Sequence, residues 1–170
     1  VSVDGKKNDK GWTKPELMAI LKNHITNVVT HFKGKIGEWD VVNECLDDDQ
    51  SIVRTNPDGY LLRQQSVFTS VCGEEFIDSA FVWAHRADPN VKLFLNDYDN
   101  EIMGSAKAQA FYNLVRRLQK SGIPIDGVGL QCHFDAGKVD HKAMAKNIER
   151  FKDLNLECIV TELDLGVDNL

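Results

Sequence analysis

Basic residues are scarce in this sequence: 20 lysines and arginines stand against 26 aspartates and glutamates, giving a formal net charge of −6. That balance argues against nucleic acid or an anionic membrane surface as a partner, since both attract basic faces. No apolar run approaches the ~18 residues that span a bilayer. Cysteine is limited to Cys45, Cys72, Cys132 and Cys158. None lies in the close C-x-x-C pairing of a zinc site or redox motif, so buried free thiols are the preferred reading, with one disulfide left open. No Gly-rich phosphate loop follows any strand-like segment, which weakens a nucleotide-binding reading. Val1–Gly5 show no initiator Met and no basic leader; a cleaved signal or a longer parent chain gives the same start.

What is present is an ordinary globular composition, 42% apolar and 27% charged over 170 residues, enough for one domain. Residues 1–11 are polar and read as a linker or loop. A helix is then expected, with Thr13 as N-cap, Glu16 closing a capping box and Pro15 in the first turn. Its apolar stripe is Leu17, Leu21, Ile25, Val28 and Phe32, and Gly34 lies where a C-cap glycine belongs. A strand over 39–43 follows, then a long polar loop over 46–62 containing Asp47-Asp48-Asp49, taken as solvated because the ligand spacing of a calcium loop is absent. Helices are expected over 74–87, 105–121 and 141–154, and strands over 91–96, 127–131 and 158–163. The third helix should bury Phe111, Leu114, Val115 and Leu118, the fourth Met144, Ile148 and Phe151. Alternating helices and short apolar strands mean an α/β fold with a parallel sheet, and leave a barrel and an open sheet unseparated.

Each expected strand ends in polar residues: Asn43-Glu44, Asn96-Asp97-Tyr98, Gln131 with His133, and Glu162 with Asp164. In a β/α barrel the catalytic groups project from these ends. Glu44 and Glu162 are the pair of interest. Glycoside hydrolysis needs two carboxyl groups flanking the scissile bond, one protonated to release the leaving oxygen and one ionised to attack or to activate water. The histidines at 24, 31, 85 and 141 fall on expected helices and carry no role.

The runs Trp39-Asp40-Val41-Val42-Asn43-Glu44, Leu93-Phe94-Leu95-Asn96-Asp97-Tyr98, Gly127-Val128-Gly129-Leu130-Gln131-Cys132-His133 and Val160-Thr161-Glu162-Leu163-Asp164 closely resemble four motifs of glycoside hydrolase family 10, in that family's order. Trp83-Ala84-His85-Arg86-Ala87-Asp88-Pro89 is also similar to the segment before its fifth strand. The resemblance runs over nearly all of 12–170. It implies a (β/α)8 TIM barrel of which this chain holds about half, strands four to seven, and a retaining endo-β-1,4-xylanase activity needing no cofactor and no metal. It makes Glu44 the acid/base and Glu162 the nucleophile. It makes His133 a partner of the nucleophile, and Asp164 the group that orients this histidine. Asn43, Asn96, Tyr98 and Gln131 become substrate-binding positions.

Two departures bear on that expectation. The family's strands one to three and eight have no counterpart here, so the 12–170 segment is a partial catalytic domain. Its implied partners are xylan or xylo-oligosaccharides, the remaining barrel strands, and a carbohydrate-binding module in the parent chain. Cys45 and Cys132 stand beside catalytic positions where the family pattern has small or other non-cysteine residues, leaving a thiol nucleophile as a remote alternative. A catalytically dead half-barrel that binds carbohydrate or a partner, and a hydrolase of another β-glycan such as cellulose, also stay open. Because a polymeric substrate cannot enter a cell, the expected location is extracellular.

Overall fold

The computed structural model of the chain describes residues 2–3, 6–7 and 11–167. Most of the expected linker over 1–11 lies outside them; within them β1 (Ser2–Val3) pairs antiparallel with β2 (Lys6–Lys7). Then follow α1 (Lys14–His31), β3 (Glu38–Asn43), a 3-10 turn (Ser51–Arg54), α2 (Val67–Cys72), α3 (Glu75–Ala87), β4 (Lys92–Asp97) and α4 (Ala106–Lys120). The chain continues through β5 (Gly127–Leu130), β6 (His133–Asp135), α5 (His141–Lys152), β7 (Glu157–Val160) and β8 (Asp164–Gly166). Strands β3, β4, β5 and β7 form one parallel sheet in chain order, and β6 and β8 a second, small parallel pair.

The helices pack on one face of the sheet because their apolar stripes demand cover. On α4, Phe111, Leu114, Val115 and Leu118 are all fully buried, as their spacing predicts. On α1, the Glu16 carboxylate accepts the Thr13 N–H at 2.9 Å and the Thr13 hydroxyl at 2.6 Å, fixing the first turn. Two expectations fail. Phe32 is 38% exposed, because as the C-cap residue it has left the helical backbone (φ −96°, ψ 6°); Val29, one turn beyond Ile25, is buried instead. Of the three apolar residues expected to be buried on α5, only Phe151 is, while Met144 and Ile148 are half-covered. The strand beneath α5, β7, is an edge strand among the described residues, so nothing closes over that flank.

The polar loop is more ordered than its composition implies. It holds the 3-10 turn and an antiparallel bridge between Leu46 and Leu62. Helix α2 has no expected counterpart: six residues with two valines and a threonine are poor helix formers, and tertiary packing decides. The last expected strand stops at Val160, so Glu162 lies in the connection to β8. No helix among the described residues is long and apolar enough to cross a membrane.

On the other face of the sheet, Phe94 and Asn96 stand in register with Gly127 and Gly129. The glycines are what make room for them. A Cβ at position 127 would come within 2.1 Å of the Phe94 ring, and one at 129 within 2.2 Å of the Asn96 side-chain oxygen. Gly129→Ala should therefore displace Asn96 and cost about 1–3 kcal/mol, as overpacking does. Urea-unfolding midpoints of variant and wild type measure it, and an unchanged midpoint would show that the strands part freely.

Candidate active site

Parallel strands place all their C-terminal ends on one side, and the polar residues noted above gather there. Asn43 ends β3 and Asn96 nearly ends β4; Gln131 and His133 bracket the break between β5 and β6; Glu162 and Asp164 follow β7. The register between β3 and β4 slips by one residue between Asp40 and Val42, so Asn43 rather than Val42 comes opposite Asn96. The slip re-aims the strand end, a common use of such irregularities. Glu44 follows in a left-handed backbone (φ 54°), with its N–H donated to the Asn96 carbonyl at 3.0 Å. A residue with a Cβ reaches that region at a steric cost, which clusters at functional sites.

Three side-chain amides join the two carboxylates. The Gln131 amide donates to Glu44 Oε1 and to Asn43 Oδ1, each at 3.2 Å. The Asn96 amide donates to Asn43 Oδ1 and to Glu162 Oε1, each at 2.9 Å, and its oxygen accepts the Thr161 hydroxyl at 2.9 Å. Glu44 and Glu162 are thus the two ends of one hydrogen-bonded chain through Gln131, Asn43 and Asn96. Asn96 and Gln131 are only 1% exposed, so they orient the carboxylates rather than face the open side. With both acceptances on its oxygen, Asn43, which is exposed, turns its NH2 outward as a free donor.

The carboxylates differ in what else they meet. Glu162 Oε2 lies 3.4 Å from His133 Nε2, and His133 Nδ1 lies 3.0 Å from Asp164 Oδ2. An imidazole with a carboxylate at each nitrogen is best matched when both nitrogens carry protons. The Asp164 hydrogen bond above all, then the charges of Asp164 and Glu162, hold the His133 pKa above its ordinary value. Glu44 Oε2 instead faces Arg63, whose Nη1 is 3.6 Å away. Arg63 also donates to the Tyr98 hydroxyl at 2.6 Å and pairs with Asp48 at 3.2 Å. Tyr98 donates its own hydroxyl proton to Asp48. Beneath the Tyr98 ring, Lys107 Nζ sits 3.2 Å from the centroid and 3.2 Å from the buried Asp97 carboxylate. Burial pushes the Asp97 pKa up, and Lys107 opposes that.

The sequence brings together every residue singled out in it, and the structure adds Arg63, Asp48, Asp97, Lys107 and Thr161. Asp48 is solvated as expected, its side chain 71% exposed, and in addition Tyr98, Arg63 and Lys107 converge on it. Asp97 and Thr161 lay within the motifs without a role. Arg63 and Lys107 carried no local signal. All four cysteines are free. Burial raises the Cys45 pKa and pushes that of Cys132 up to about 11, so both stay protonated thiols and poor nucleophiles at neutral pH. Among the described residues no group of three or more His, Cys, Asp or Glu could hold a metal ion.

The family model described as glycosyl hydrolase family 10 matches residues 4–170. The chain is 43% identical over 161 residues to a beta-1,4-xylanase of Dictyoglomus thermophilum, covering 92% of this chain and 43% of that one. It superposes with TM-score 0.83 and 37% identity on xylanase 10B of Thermotoga petrophila in complex with xylobiose, covering 94% of this chain and 46% of that one. It also superposes, with TM-score 0.81 and 37% identity, on an intracellular xylanase of Thermoanaerobacterium saccharolyticum, covering 92% and 46%. The chain therefore spans less than half the length of these relatives. Its four-stranded sheet is a part of their (β/α)8 barrel.

The double pairing of His133 has a sign that can be checked. A pKa raised on folding contributes stability below the unfolded value of about 6.5, and that contribution is lost as pH rises through the raised folded value. Asp164→Asn should lower the His133 pKa and narrow that window. The titration of the His133 Cε1 proton, followed by NMR, reads it; an unmoved midpoint would remove Asp164 as the cause.

Proposed function

We propose, starting from the fact that the chain belongs to glycosyl hydrolase family 10, that it carries the catalytic pair of an endo-β-1,4-xylanase acting with net retention. Glu162 is the nucleophile and Glu44 the acid/base. The observation that carries this reading is the amide chain through Gln131, Asn43 and Asn96, which holds both carboxylates on one end of the sheet.

In the first step a Glu162 oxygen attacks the anomeric carbon and forms an ester bond. The glycosidic bond breaks, and its oxygen takes the proton of Glu44. In the second step Glu44 removes a proton from water, the water oxygen replaces Glu162 at the anomeric carbon, and both carboxyl groups return to their starting states. Asn96 and His133 address the two oxygens of Glu162 and set its line of attack. The outward NH2 of Asn43 suits the 2-hydroxyl of the sugar being transferred, and Tyr98 a sugar on the leaving side.

A second reading is favoured by the open sheet. Val160, Leu163, Leu165 and Val167 are 52–62% exposed at the β7 and β8 edge, so these residues alone form an incomplete barrel that needs the strands of a longer parent protein for turnover. The substrate class follows the xylanases it resembles, and the remaining strands and any carbohydrate-binding module come from the same parent chain. An extracellular location suits a polymeric substrate, and assay of culture fluid against cell lysate decides it.

In the parent protein, Glu162→Ala should lower xylan hydrolysis by at least about a thousandfold. Glu44→Ala should spare the first step on aryl β-xylobiosides with activated leaving groups and slow the second. An activated 2-fluoro-xylobioside should leave one adduct, mapped by mass spectrometry to Glu162. An adduct elsewhere, or full activity of Glu162→Ala, would sink the assignment.

A further inference from the structure

Position 132 is where the chain leaves the main sheet for the small one. Gln131, before it, donates its backbone N–H to the Asp97 carbonyl at 3.2 Å and aims its amide at Glu44. His133, after it, stands in register with Asp164 and faces Glu162. Cys132 between them is fully buried with φ 63°, a left-handed conformation that its Cβ disfavours. Its carbonyl accepts the Asp164 N–H at 3.3 Å. Its own N–H has run out of strand partner, because β4 ends at Asp97, and a buried N–H needs an acceptor.

The acceptor is Glu101. Its Oε1 takes the Cys132 N–H at 2.8 Å. Glu101 is 3% exposed, and burial pushes its pKa up, opposed chiefly by that same N–H. A buried carboxylate is costly unless it is hydrogen-bonded. Its neighbour Asn100 donates to the Gly129 carbonyl at 3.0 Å, so one loop after β4 grips both β5 and the turn that follows it. Glu101 makes no hydrogen bond or ion pair with either Glu44 or Glu162 and has no part in the two-step chemistry.

We propose that Glu101 is a positioning residue: by holding the Cys132 peptide in its left-handed turn it fixes the directions of Gln131 and His133. Through these two side chains the same turn reaches both carboxylates. The inference rests on the assignment of Glu44 and Glu162 above.

The test uses the full-length parent protein and hydrolysis of an aryl β-xylobioside, with kcat and KM measured separately. Glu101→Ala should lower kcat tenfold or more with KM within twofold, since chemistry and not binding loses its alignment. Glu101→Gln keeps an acceptor oxygen and should retain at least a third of wild-type kcat. Adding Cys132→Gly to Glu101→Ala should recover kcat at least threefold, because glycine takes the left-handed conformation without strain. Glu101→Ala with kcat within twofold of wild type overturns the proposal, as does a Glu101→Gln variant as impaired as the alanine. Should Glu101→Ala fail to fold, Glu101→Gln decides, with kcat above a third supporting the role and any lower value overturning it. A wild-type protein that hydrolyses no β-xyloside overturns the carboxylate assignment and this inference with it; an active wild type isolates the inference.

Discussion

The Asn96 amide is the joint on which the site turns. One planar group donates to Asn43 at the end of β3 and to Glu162 in the connection after β7, and accepts from Thr161. It can do so only because residue 129, beside it in the sheet, has no side chain and because a one-residue slip in β3 brings Asn43 opposite it. Remove either condition and the polar groups at the strand ends would still be neighbours, but no longer a connected set. Buried networks of this kind hold a geometry well when every member is matched, and here the burial of Asn96 and Gln131 excludes competing water.

Charge is distributed around this neutral joint. On the Glu162 side, the histidine lies between two carboxylates. On the Glu44 side, Arg63 and Lys107 share Asp48, and Lys107 also pairs with Asp97. The two carboxylates therefore sit in unlike surroundings, an imidazole beside Glu162 and a guanidinium beside Glu44. The surface ion pairs elsewhere, such as Lys14 with Glu75 at 2.5 Å, are exposed and add little.

Much of this was legible in the sequence, for identifiable reasons. The helix over 106–120 announced itself through 3.6-residue periodicity, and the strands through short apolar runs between breakers. Glu44 and Glu162 stood out because four motifs resembled one family in order; nothing in composition would have paired them. What stayed hidden depends on tertiary structure. Helix α2 forms against its residues' own preferences. Strands β6 and β8, three residues each, exist only because they meet. Arg63 and Lys107 carry no local pattern, and their importance comes from meeting Tyr98 and Asp48 across the fold. Phe32 misled because periodicity does not mark the residue at which a helix has already ended.

The four strands of the main sheet follow one another in the chain as they do in space. Among the described residues, the hydrogen bonds and ion pairs that order Glu44 and Glu162 are made within residues 43–164. The geometry of the two carboxylates is thus written in one continuous stretch of the chain. A stretch of that kind is inherited as a unit: recombination that cuts the chain on either side of it leaves the amide network whole.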